Sequence, residues 1–192
     1  MSSIIVALFV CRYLAFKLPV MLLQARDPLF SGFSSAQEIC SVIPADYHAP
    51  VLKSCTIINN YLQNNGSISE LPESVTELVQ LVFQRIEDEL THTFRKETGI
   101  LFPCIHQQDT RSAHLQPKVI ETMISTHQVL IALFRKLREL MNHYIAKPAW
   151  SKELKDCTHE MFLLETYVFR WIQFEQSVLY PQLIRIVKTG NK

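Results

Sequence analysis

A chain of 192 residues that is 48% apolar and 19% charged can fill one ordinary core and is too hydrophobic for disorder. Its net charge of +1 argues against a dedicated nucleic-acid binder, which carries a basic face. Four glycines are too few for a turn-rich β fold, and neither GxGxxG nor GxxxxGK[ST] occurs, so no phosphate-cradling loop is expected.

Residues 3–23 are strongly apolar, but Arg12 and Lys17 interrupt the run and Pro19 breaks it. A spanning helix needs about 20 nearly uncharged residues, and a cleaved signal carries its positive charge before the apolar stretch. The segment therefore reads as a helix or arm packed on the domain, with membrane-surface contact as the second reading. Residues 25–34 read as a linker, which divides the chain into an extension, 1–34, and a domain, 35–192.

A short helix is expected over 35–43. Pro44 and Pro50 flank Asp46-Tyr47-His48 and predict a kink or restart near His48, with helix from about 49 to 64. Asn64-Asn65-Gly66-Ser67 is a loop. The second long helix starts near Pro72 and runs to about Thr98 on a stripe of Val75, Val79, Val82, Ile86, Leu90, Thr93 and Glu97. Residues 103–116 read as a loop. A third helix from Pro117 carries Ile120, Met123, His127, Leu130, Phe134, Leu137 and Met141, and 142–149 is a turn. The fourth, from about Ser151 to Leu179, carries Leu154, Cys157, Met161, Leu164, Val168, Trp171, Glu175 and Val178. Four long helices with short loops and no alternating strand pattern predict an all-α, antiparallel up-down four-helix bundle.

Within these helices lies an internal repeat. Glu97-Thr98-Gly99-Ile100-Leu101-Phe102-Pro103 and Glu175-Gln176-Ser177-Val178-Leu179-Tyr180-Pro181 share the order Glu, two small or polar residues, Ile or Val, Leu, aromatic, Pro. Each proline is expected to stop its helix. Each glutamate sits on an apolar stripe, where a carboxylate costs several kcal/mol unless it is paired, hydrogen-bonded, protonated or bound to a metal.

His48 precedes Glu97 by 49 residues and His127 precedes Glu175 by 48, so each hairpin offers one imidazole and one carboxylate. Imidazole with carboxylate suits iron, manganese or zinc. One buried Glu–His hydrogen bond per hairpin, without metal, satisfies the spacing equally well. His106, His114, His143 and His159 lie in loops or off the stripes and read as surface residues. The five cysteines are scattered and never spaced CxxC; they read as core thiols in a reducing compartment, and the cytoplasm is the expected location. No nucleophile elbow supports a hydrolase or transferase.

The segment Glu89–Pro103, ELTHTFRKETGILFP, resembles the hemerythrin-like di-iron proteins, most closely the iron–sulfur cluster repair (repair of iron centres) family, at its His-x-x-x-Glu helix. WIQFEQSVLYP, 171–181, resembles the second copy, Met123–His127 the third-helix histidine segment and Tyr47-His48 the first-helix histidine. The resemblance covers roughly 40–186 and implies a centre of two irons held by four histidines and two bridging glutamates. His48, Glu97, His127 and Glu175 match ligand positions; Thr93 and Trp171 stand where two further histidines belong. The family's N-terminal module carries an adjacent cysteine pair, whereas Cys11 is the one cysteine in the first 39 residues given, so that module is not expected within them.

The resemblance implies a non-haem iron protein that repairs iron–sulfur clusters after oxidative or nitrosative stress, with iron–sulfur proteins as partners and homodimerisation possible. The alternatives are a degenerate, metal-free binding or regulatory module, an O2 or NO sensor, and a mononuclear zinc or iron site.

Overall fold

The computed structural model describes residues 33, 35–64, 70–106 and 117–184. The expectations for residues 3–23, for most of the 25–34 linker and for His114 fall outside them. Helix α1 (Ala36–Ile43) continues through a π-helical turn, Pro44–His48, into α2 (Ala49–Asn64). Helix α3 (Glu73–Lys96) continues through a second π turn, Glu97–Leu101, into the short α4 (Phe102–His106). Helix α5 (Pro117–Leu140) is a plain α-helix. Helix α6 (Lys152–Phe174) passes through a third π turn, Glu175–Leu179, and stays helical to residue 184. Among the described residues there is no strand, and the all-α four-helix bundle stands.

Local chemistry sets the helix starts. Ser35 caps α1 by accepting from the Glu38 amide at 3.3 Å, and Ser151 caps α6 by accepting from the Leu154 amide at 3.2 Å. At α3 the cap is backbone only: the Pro72 carbonyl accepts from Val75 at 2.9 Å and Thr76 at 3.0 Å. The Ser151 amide also donates to Glu70 at 3.0 Å, which ties the start of α6 to the segment before α3. The most extensive packing joins α3 to α5 and α2 to α6, so the two hairpins hold each other more than either holds itself. The core seam of α5 is the expected one. On α3, Thr76 and Phe83 are buried, while Val75 and Val82 are only half-buried.

The prolines do not stop the helices, contrary to expectation. In each π turn an amide reaches the carbonyl five residues back: Ala49 to Pro44, Phe102 to Glu97, Tyr180 to Glu175. The next residue is proline in all three cases, Pro50, Pro103 and Pro181. A proline inside a regular α-helix loses one hydrogen bond and collides with the carbonyl four residues back. One extra residue in the preceding turn moves that carbonyl away, and the helix carries on. The same extra residue rotates the register of the helix, so Leu101 and Leu179 are buried while Ile100 is 56% exposed and Val178 half-buried. Residues 103–106, expected to open a loop, are accordingly helical.

Candidate metal centre

Three of the four residues singled out by the sequence stand at the ends of π turns. His48 closes the first, Glu97 opens the second and Glu175 opens the third; His127 lies midway along α5. Glu97, His127 and Glu175 are 0% exposed and His48 is 4% exposed.

Each hairpin forms its own imidazole–carboxylate pair. His48 Nε2 lies 2.7 Å from Glu97 Oε2, and His127 Nε2 lies 3.3 Å from Glu175 Oε2. The second pair has a third member, because the Tyr180 hydroxyl donates to Glu175 Oε2 at 2.6 Å and stands 3.5 Å from His127 Nε2. Gln176 Nε2 is 3.5 Å from His127 Nδ1. The remaining carboxylate oxygens, Glu97 Oε1 and Glu175 Oε1, are buried and have no hydrogen-bond partner.

One ligand atom from each of Glu97, His127 and Glu175 falls within 4.8 Å of the others, a spacing that a single ion can span. His48 is not in this group and touches it through Glu97. Thus all four residues are buried in one region, but only three converge.

Aromatic rings wall the site. His48 stacks on Phe94 at 3.8 Å between centroids, and Trp171 meets His127 edge-on at 4.9 Å and His48 at 6.1 Å. The charge balance is unfavourable for anions. Burial, then the neighbouring Glu175, raises the pKa of Glu97 well above the usual carboxylate range. Burial lowers His48 to about 4. Cys40 is pushed up to about 12, by burial first and then by Glu175 and Glu97. Tyr180 is also raised, by burial and then by Glu175. A cation among these groups would offset the repulsion between the carboxylates and engage their orphaned oxygens.

The residues present fit one ion better than two. Thr93 is turned away, its hydroxyl donating to the Glu89 carbonyl at 2.6 Å. Trp171 is 0% exposed and offers no ligand atom, and its indole N–H is itself unpartnered. His92, His106, His143 and His159 are all exposed.

The sequence model of the hemerythrin HHE cation binding domain matches residues 45–183, most of the chain and every residue of this site. The chain belongs to the hemerythrin HHE family. No curated protein matches it. Within this hemerythrin domain the helices and the two inward-facing glutamates were legible in the sequence, whereas His48 and His127 were singled out alike and only His127 joins the converging group. Tyr180 was not singled out, although the one chemical difference between the repeats at that position, Tyr180 against Phe102, marks it. Cys40, close enough to feel both carboxylates, left no signal in sequence spacing.

Proposed function

We propose that this hemerythrin-like protein binds one iron ion between Glu97, His127 and Glu175. The carrying observation is the pair of fully buried glutamates, each with one unpartnered oxygen, beside a buried imidazole. A donor set of carboxylates and imidazole suits iron, with manganese and zinc as competitors. Iron held there supplies Lewis acidity and one-electron redox chemistry. The chain supplies two negative charges to bind it, an imidazole to complete the contact, and a wall of Phe94, Trp171 and Tyr180 that excludes water. The physiological role we propose is repair of iron–sulfur clusters damaged by oxidative or nitrosative stress, with damaged iron–sulfur proteins as partners. Its support is the likeness of segments 89–103 and 171–181 to the repair family.

Two measurements test this. Elemental analysis of protein from iron-rich medium is expected to find close to one iron per chain in the wild type and none in a Glu97→Ala, Glu175→Ala double variant. Wild type free of metal would overturn the proposal. The role is tested by reactivation of an oxidatively damaged iron–sulfur enzyme, which is expected with the wild type and absent with the double variant.

A second reading is favoured by Trp171, by the His48–Glu97 hydrogen bond and by the 3.3 Å His127–Glu175 contact, which already close both Glu–His pairs: a metal-free bundle used as a binding or regulatory module. It requires that a chelator leave the melting temperature unchanged.

A further inference from the structure

The two glutamates are held in matching ways by unlike partners. Glu97 has His48 Nε2 on its Oε2 at 2.7 Å, and its Oε1 is bare. Glu175 has the Tyr180 hydroxyl on its Oε2 at 2.6 Å, and its Oε1 is bare. In both cases one carboxylate oxygen is occupied by a neighbour and the other is left over, in an interior where an unsatisfied oxygen is costly. The partners come from different places. His48 ends a π turn on another helix, whereas Tyr180 comes directly after the π turn that Glu175 itself opens. The first repeat has Phe102 at the position of Tyr180, and Phe102 has no hydroxyl to give to Glu97. Instead the Phe102 ring stacks near His48, with centroids 6.2 Å apart.

We propose that Tyr180 is a positioning residue of the cation site, the counterpart of His48 across the repeat. It stays outside the ligand set and fixes the Glu175 carboxylate so that Oε1 faces the ion. With Glu97 ionised, the His48 Nε2–H does the same for Glu97. His127 is then the one imidazole ligand, consistent with its place in the converging group from which His48 is missing. Groups that orient a metal-binding carboxylate from behind typically contribute ten- to a hundredfold in metal affinity. A neutral phenol is the form the geometry favours, because the hydroxyl belongs to a residue only 2% exposed and already donates to a carboxylate.

The inference rests on the single-ion reading above, and the test separates the two. Tyr180→Phe copies the residue that the first repeat already carries, and removes only the hydroxyl. Full-length metal-free wild type and variant are titrated with Co2+ and, under anaerobic conditions, with Fe2+; the Co2+ absorption spectrum reports ligand geometry. The expected result is a ten- to hundredfold weaker affinity in Tyr180→Phe with a changed Co2+ spectrum, while the metal-free melting curve stays close to that of the wild type. Affinities equal within twofold would overturn the role of Tyr180 and leave the single-ion reading intact. A wild type that binds neither ion would overturn that reading instead. A second measurement needs no variant: the ferric form of the wild type is expected to lack a phenolate-to-iron charge-transfer band. Such a band would make Tyr180 a direct ligand and overturn the positioning role.

Discussion

At position 171 a tryptophan fills the space between two imidazoles and makes edge contacts with both. Removing it opens a large apolar void in a region that the surrounding helices cannot collapse into without moving the glutamates. Trp171→Ala is therefore expected to lower stability by about 3–5 kcal/mol, read from the urea unfolding midpoint. The cysteines offer a second check at this scale. Burial pushes the Cys40, Cys55 and Cys157 thiols up to about 12, so at pH 8 roughly one in ten thousand of each is thiolate. Cys104 is part-exposed. Iodoacetamide at pH 8, followed by peptide mass spectrometry, is expected to modify Cys104 well before the other three. Labelling of the three buried thiols grows as pH rises toward 12, since only the thiolate reacts. At residue scale the sequence was partly readable. Two carboxylates on apolar stripes announced themselves, because charge on a buried face is rare. Which imidazole converges with them did not, because spacing along a chain of 49 or 48 residues sets the height of a side chain in a bundle but not its direction.

Among elements, the π turns explain both what the sequence showed and what it concealed. A kink near His48 is readable from Pro44 and Pro50. The turns at Glu97 and Glu175 are not, because a hydrophobic stripe with regular spacing assumes a constant number of residues per turn. Regular spacing puts Val178 on the core face for that reason, and Leu179 occupies it. A proline two residues past the end of the turn is the readable mark, and it occurs three times here. Gly99 lies inside one of these turns, yet it does not serve the turn through conformational freedom. A Cβ added there meets nothing within 4 Å, and the second repeat carries Ser177 at the same place. Gly99→Ala is expected to stabilise the protein by about 0.5–1 kcal/mol by reducing the freedom of the unfolded chain. Thermal unfolding would show this as a rise in Tm of roughly 2 °C.

For the whole molecule, the fold was the most legible property. Long amphipathic runs separated by short breaks leave few architectures other than a bundle, and the repeat indicated two similar hairpins. Their mutual packing, α3 on α5 and α2 on α6, depends on which ridges interlock and could not be read from stripes alone. A cation held between Glu97, His127 and Glu175 would link this scale to the site, because these residues come from α5 and from the turns that end α3 and α6. An ion bound only by the folded chain stabilises the entire bundle. At a free concentration one hundred times Kd the gain is about 2.7 kcal/mol, so Tm is expected to climb with added Fe2+ or Co2+ and to fall back with chelator. The double glutamate variant is expected to show no such response. No helix among the described residues is long and apolar enough to cross a membrane.

The absence of any exposed surface on Glu97, His127 and Glu175 also has a kinetic side. An ion held at their meeting point would have no exposed residue among these three beside it, so its departure is expected to wait on the helices parting. Exchange of bound isotope against free isotope would then keep pace with the slowest amide protons of α5 and α6, and loosening the interface between hairpins would speed both together. Retention in such a centre is governed by the breathing of its container as much as by the grip of its ligands.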